Sequence, residues 1–226
     1  MTLSKRLLSC VRYTDGFIKL ADIGTDHAQL PIHAVQQGYV YRALAIDNKE
    51  GPYVIAYSNV KKANLSDKIT VIKGDGIHKI DEEVDVVVIS GMGGKLIASI
   101  LENDSHKNVK RFILQPNIDS MVVRSTLNKL GYQVVDELVF KDGRKYYDVI
   151  VFEKGIEELS SFEYEFGPIN LKLKPFYFVE RIEKEHKNLT NILQKTETPS
   201  HRIAVQARLM LLEEALKWTG IKSKNY

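Results

Sequence analysis

The chain has 226 residues, 44% hydrophobic and 27% charged, with 32 Lys and Arg against 29 Asp and Glu for a net charge of +3. That is apolar enough for a folded core, which excludes a disordered chain, and at ~100–200 residues per domain it makes one domain and an appendage, or two small domains. A single cysteine, Cys10, excludes an intrachain disulfide and a cysteine-rich zinc site, and no apolar run approaches ~18 residues, so the chain reads as soluble and cytoplasmic with no membrane partner.

Leu3, Leu7, Leu8 and Val11 sit at helical spacing at the amino terminus, not in the unbroken run of a signal peptide. From Phe17 to Glu153, β-branched runs alternate with amphipathic stretches. Strands are predicted over 18–23, 42–46, 69–72, 84–89 and 111–114, and helices over 28–37, 52–63, 95–101 and 120–130. Strands alternating with helices imply an α/β fold, a parallel sheet covered on both faces. The run 84–89 has one charge and is otherwise apolar, the pattern of a central strand. Two further strands, 132–140 and 146–152, flank Asp142-Gly143, which predicts a closing antiparallel hairpin.

After Gly155 the strand signal stops. Val179, Ile182, His186, Leu189 and Leu193, then Val205, Leu209, Leu212 and Leu216, alternate in steps of three and four. They predict two helices in an antiparallel, coiled-coil-like hairpin joined through a polar stretch with Pro199. The expected domains are therefore 1–155 and 156–226.

Ligands of open parallel sheets bind beyond the carboxyl ends of the strands. The first predicted strand ends in Asp22-Ile-Gly24-Thr25-Asp26-His27. The glycine admits a ligand to the backbone, but G-x-G-x-x-G is missing, and carboxylates at a helix start repel a pyrophosphate. The ligand implied carries positive charge, and the ammonium and sulfonium of S-adenosylmethionine fit. The plain alternative is that Asp26 caps the following helix. The second strand ends in Asp47-Asn48, where an acid accepts hydrogen bonds from ribose hydroxyls, or again caps a helix. The third ends in Gly74-Asp75-Gly76, able to reach an adenine amino group or simply to turn. Acids closing successive strands together favour a nucleoside ligand, and the missing phosphate loop favours S-adenosylmethionine over a nucleotide.

The fourth strand leads into Ser90-Gly91-Met92-Gly93-Gly94, a smooth close-approach loop without the Asn/Asp-Pro-Pro-aromatic motif of many amine methyltransferases. The fifth leads into Gln115-Pro116-Asn117, whose neutral amides suit a base edge, or a simple turn. His33, His78, His106, His186 and His201 are scattered, so no metal is expected, and Cys10 sits on an amphipathic stretch far from any strand end, so it is not expected to be a catalytic thiol.

The motifs over 22–32, Gly-Met-Gly-Gly at 91–94, Leu-Gln-Pro-Asn at 114–117 and Phe-Gly-Pro-Ile-Asn-Leu at 166–171 resemble, in this order and spacing, the bacterial tRNA (adenine-22-N1)-methyltransferase family, TrmK. The resemblance implies a Rossmann-like S-adenosylmethionine-dependent methyltransferase domain followed by a helical, coiled-coil-like domain, with tRNA as partner. It implies Asp22, Gly24, Thr25 and Asp26, with His27, as the cofactor loop. Asp47, with Asn48, would hold the ribose, Gly74, Asp75 and Gly76 the adenine, and Gly91, Met92 and Gly93 the methionine end. N1 of neutral adenine has a free lone pair, so no base is needed. Asp26 is the candidate for steadying the developing charge, and Gln115 and Asn117 for orienting the ring. The basic clusters Lys5, Arg6, Arg12 and Lys141, Arg144, Lys145 are the candidate tRNA contacts, against the alternative of solvated faces. Residues 1–155 carry 21 basic and 19 acidic groups and 156–226 carry 11 and 10, so local clusters must supply that contact. A monomer is expected, with a dimer left open.

Overall fold

The structure, a computed structural model, describes residues 3–77, 83–102 and 109–219. Helix α1 (Lys5–Val11) opens at Ser4, whose hydroxyl accepts the Leu7 N–H, and a 3-10 turn over Arg12–Thr14 leads into β1 (Phe17–Ile23). Helix α2 (Gln29–Gln36), β2 (Val40–Asp47), α3 (Glu50–Lys62), β3 (Ile69–Lys73) and β4 (Val86–Met92) follow. Next come α4 (Gly94–Glu102), β5 (Arg111–Pro116), α5 (Ser120–Lys129), β6 (Tyr132–Asp142) and β7 (Lys145–Lys154). The chain then runs through α6 (Ser161–Phe166), α7 (Pro168–Leu173), α8 (Phe176–Lys195) and α9 (Pro199–Thr219).

The strands form one seven-stranded sheet in the order β3-β2-β1-β4-β5-β7-β6. β1 pairs in parallel with β2 on one side and β4 on the other, which places the reversal of strand order between β1 and β4. β5 is parallel to β4, whereas β7 runs antiparallel to both β5 and β6. Alternate side chains part to opposite faces. Leu20 joins Cys10, Val11, Leu30, Ala34 and Val60 under α1, α2 and α3, while Ala21 and Ile23 join Ile97, Leu101, Val123 and Leu127 under α4 and α5. Val86, Val87, Val88 and Ile89 are all fully buried, because β4 is covered on both faces.

The helical appendage is rooted on the antiparallel ribbon. Phe178 and Ile182 of α8 and Leu212, Ala215 and Leu216 of α9 pack with Phe166, Leu171 and Val139 of β6 in a third core. An ion network reinforces the joint. Arg124 Nε donates to Glu137 Oε1 at 2.7 Å with both side chains fully buried, and Arg124 Nη1 donates to the Tyr164 and Glu165 carbonyls. Glu137 Oε2 accepts the N–H groups of Ile169 and Asn170, in the first turn of α7. Gly167, at φ +92°, has no Cβ because one would overlap that carboxylate.

Several elements differ from the sequence reading. β4 begins later and runs to Met92, so Ser90-Gly91-Met92 is the strand's irregular end, still paired to β5 through Ser90–Gln115 and Met92–Pro116. The hairpin strands reach Asp142 and Lys145, leaving Gly143 and Arg144 as the turn. Gly143 takes φ +58° and Arg144 a negative φ, so the glycine fills the first central position of a type II′-like connection. Helix α9 starts at Pro199 itself, where the missing N–H costs nothing. Helices α6 and α7 carry no periodic signal in the sequence, because each has only six residues. Their caps are legible: Ser160 and Glu163 form a capping box, and Pro168 opens α7. His78 and His106 lie outside the described residues.

Candidate active site at the carboxyl edge of the sheet

The carboxyl ends of β1 to β5 lie on one edge, and their loops are tied to one another. Gly24 and Thr25 donate their N–H groups to the Ile46 carbonyl at 2.8 and 2.9 Å, holding the β1 loop to β2. The Asp26 N–H reaches Asp47 Oδ2 at 3.2 Å, and the Lys49 N–H reaches Asp47 Oδ1 at 2.9 Å. Gly74 donates to the Asp47 carbonyl, and Asn48 Nδ2 to Asp75 Oδ1 at 3.2 Å, which fastens the β3 loop to β2.

Neither Asp26 nor Asp47 is the side-chain helix cap that sequence alone allowed. Helix α2 is preceded by Ala28 in the left-handed region with no side-chain cap, and Lys49 precedes α3. Asp26 itself takes φ +53°, an uncommon conformation that lifts its side chain into solvent, 70% exposed and 3.5 Å from His27 Nε2. Gly24 takes φ +70°, which favours glycine, and the Met92 methyl fills the space where a Cβ would stand.

Asp22 is buried, and Thr25 Oγ1 donates to its Oδ2 at 2.6 Å. Burial pushes its carboxyl up to about 7, against the Thr25 hydrogen bond and with the help of Asp47 and Asp26. A carboxyl so placed gains from an arriving cation, which fits the ammonium group of S-adenosylmethionine. The lone pairs left on Asp47 suit hydroxyl donors. The residues present therefore fit the group: Asp22 and the Gly24–Asp26 loop for its amino-acid end, Asp47 for its ribose, and Gly74–Gly76 for its base.

Gln115 needs a correction. It is fully buried, its Oε1 accepts from the Gly91 N–H at 3.0 Å and Ser90 Oγ at 3.2 Å, and its Nε2 donates to the Pro116 carbonyl. It positions the β4 loop and has no surface with which to touch a base. Asn117 is exposed, and its Nδ2 donates to the Gly91 carbonyl at 2.7 Å. The basic residues also divide. A Cβ on Gly91 would come 3.1 Å from Arg6 Cζ, so Arg6 leans over the β4 loop. Lys5 Nζ lies 3.4 Å from the Lys141 carbonyl, joining α1 to the hairpin that carries Arg144 and Lys145. Arg12 does not join them. It stacks on Tyr13, where the chain turns into the amino end of β1, at the opposite edge of the sheet.

Cys10 is likewise corrected. It lies beside Ser90 and Asp22, at the strand ends, because α1 packs along β4. It is fully buried, and burial pushes its thiol up to about 12, so it is no nucleophile. Among the described residues no group of three or more His, Cys, Asp and Glu could hold a metal, and no helix is long and apolar enough to cross a membrane.

The family model TrmK, tRNA (adenine(22)-N(1))-methyltransferase, matches residues 20–217. The Bacillus subtilis tRNA (adenine(22)-N(1))-methyltransferase is 34% identical over 220 residues, covering 96% of this chain and 92% of its own length. Among solved structures, a Streptococcus pneumoniae protein in complex with S-adenosyl-L-methionine superposes with a TM-score of 0.87 at 35% identity, over 95% of this chain and 100% of that one. M. capricolum TrmK bound to S-adenosyl-homocysteine gives 0.87 at 30% identity, over 96% and 99%. The chain belongs to the TrmK family of tRNA (adenine(22)-N(1))-methyltransferases.

Proposed function

We propose that the chain transfers the methyl group of S-adenosyl-L-methionine to N1 of adenine 22 in tRNA. The observation that carries this reading is the assembly of the Asp22, Asp47 and Asp75 loops on one sheet edge in a chain of this family. When bound, the cofactor supplies an electrophilic methyl group on a sulfonium.

The protein's own part is placement. Asp22 with the Gly24–Asp26 loop takes the ammonium end, Asp47 and Asn48 the ribose, and Gly74, Asp75 and Gly76 the adenine of the cofactor. Gly91, Met92 and Gly93 bound the methionine end, and Gln115 fixes that loop from beneath. The target N1 already carries its lone pair in the plane of the ring, so no residue has to remove a proton first. Holding the base at attack distance and excluding water supplies most of what catalysis requires. As the N–C bond forms the S–CH3 bond would break, the sulfur keeping the electron pair as a neutral thioether, so the positive charge passes from the cofactor into the ring. The exposed carboxylate of Asp26 steadies it, and Asn117 presents an amide beside Gly91 to orient the base. N1 lies on the pairing edge, so the base must leave its stack to react.

Residues 1–155 form the methyltransferase unit and 156–226 the helical unit beside the RNA. The chain works as a monomer in the cytoplasm on tRNA, with Lys5, Arg6, Lys141, Arg144 and Lys145 on the RNA side. Incubation with radiolabelled methyl donor and bulk bacterial tRNA tests the activity. Label recovered as 1-methyladenosine supports it. Label in a protein or small molecule, or none at all, contradicts it.

A further inference from the structure

A cleft of about 230 Å³ opens between the β6–β7 turn and α8, lined by Arg144 and Tyr146 from the ribbon and by Arg181, Lys184, Glu185, Asn188 and Leu189 from the helix. The α8 residues fall at helical spacing, so one face of the helix supplies them all. β7 pairs with β5 only from Ile150 onward, which makes the turn overhang the carboxyl edge that carries the acidic loops. The cleft therefore opens on the same side of the molecule as the candidate active site.

Its charge is unbalanced. Each acid in or beside it already has a partner, and Glu180 also feels the charge of Lys184. Glu185 accepts from Arg208 Nε at 2.7 Å, Glu180 pairs with Lys141 at 2.6 Å, and Asp148 takes Arg181 Nη1 at 2.8 Å and Ser120 Oγ at 2.7 Å. Arg144 and Lys184 are both exposed, and neither forms an ion pair among the described residues. Lys184 Nζ stands 5.4 Å from the centre of the Tyr146 ring, which holds this cation against a wall of the cleft. Asn188 adds an amide donor on the same wall. Two unpaired cations, an amide and an aromatic wall in a small recess suit a singly charged tetrahedral oxyanion better than a base or an apolar group.

We propose that this cleft is a phosphate subsite, taking a backbone phosphate of the tRNA at a point away from the methylated base. The inference rests on tRNA being the substrate and adds where the second part of the chain grips it. Arg144 and Lys184 donate to the phosphate oxygens from opposite walls, so the grip spans the ribbon and the helical hairpin and sets the register of the RNA over the active edge.

The test compares full-length wild type, the double variant Arg144→Gln/Lys184→Gln, and Lys62→Gln on the exposed face of α3 as control. Fluorescence anisotropy gives the tRNA affinity across a salt series, and calorimetry gives the S-adenosylmethionine affinity as a check on the fold. The double variant is expected to bind tRNA about tenfold or more weakly at low salt, with a slope of log K against log salt shallower by about one for each cation removed, and to keep its cofactor affinity. Lys62→Gln is expected to match wild type. Inorganic phosphate serves as the second probe. If it binds wild type and not the double variant while tRNA affinity is unchanged, the cleft is a free-anion site and the proposal fails. Wild-type tRNA affinity and salt slope in the double variant, in a protein that still methylates adenine 22, overturn the cleft alone. A wild-type chain that neither binds nor methylates tRNA overturns the function as well.

Discussion

Asp22 and Asp26 belong to one loop and face opposite problems. Asp22 is buried beside Asp47, Asp26 and the Cys10 thiol, and holds its proton up to about pH 7. Its pKa in the folded chain lies above the unfolded value. In the free protein it therefore contributes stability that is fully present below about pH 4 and lost as pH rises through about 7. Binding a cation needs the ionised form, so cofactor affinity runs the other way. If the cofactor restores an ordinary pKa, titration calorimetry should find S-adenosylmethionine bound about tenfold more tightly at pH 8 than at pH 6. Asp22→Asn should bind weakly with that slope removed, and an unchanged slope would exclude Asp22 as its source. Asp26 is exposed and is assigned to the reaction. Asp26→Asn should lose roughly ten- to a hundredfold in kcat, by analogy with other removed electrostatic partners, with a smaller change in cofactor affinity. Wild-type turnover in that variant removes Asp26 from the chemistry.

At the scale of elements, the joint between ribbon and helices concentrates the energetic risk. Burial pushes the Glu137 carboxyl up, and Arg124 holds it charged. Arg124→Met should cost about 3–5 kcal/mol in denaturant unfolding, because a buried carboxylate loses its partner. Without the arginine Glu137 keeps its proton to still higher pH, so the loss grows as pH rises and shrinks in acid. Gly94 is a second point of strain: a Cβ there would overlap the Asp119 carbonyl, so Gly94→Ala should displace the β5–α5 loop and lower the melting temperature. Equal stability in either variant contradicts the packing described. The parallel strands and α2 to α5 were legible because β-branched runs and amphipathic stretches alternate on a sheet covered on both faces. The joint was not. Only the fold sets Arg124 against Glu137, Tyr164 and Glu165.

At the scale of the whole molecule, motif and geometry gave unequal shares of the site. The acid at each strand end was readable, because its position follows from the strand alone. What each amide or cation faces depends on loops from different strands. Gln115 turns inward because Ser90 and Gly91 need an acceptor, and Arg12 leaves its cluster because α1 runs antiparallel to β1, carrying Arg6 to one edge and Arg12 to the other. Near-balanced net charge likewise says little about local charge, since Asp22, Asp47 and Asp75 lie in the candidate cofactor loops while Arg6 leans over the β4 loop and Lys5 reaches the hairpin that carries Arg144. The most direct test is single-turnover methylation of a tRNA transcript bearing adenine at position 22 and of the same transcript with guanine there, read by mass spectrometry of the digested RNA. Methylation at N1 of adenine 22, abolished by the guanine substitution, is the expected result. Methyl transfer to another position, equal transfer to both transcripts, or transfer to neither would contradict it.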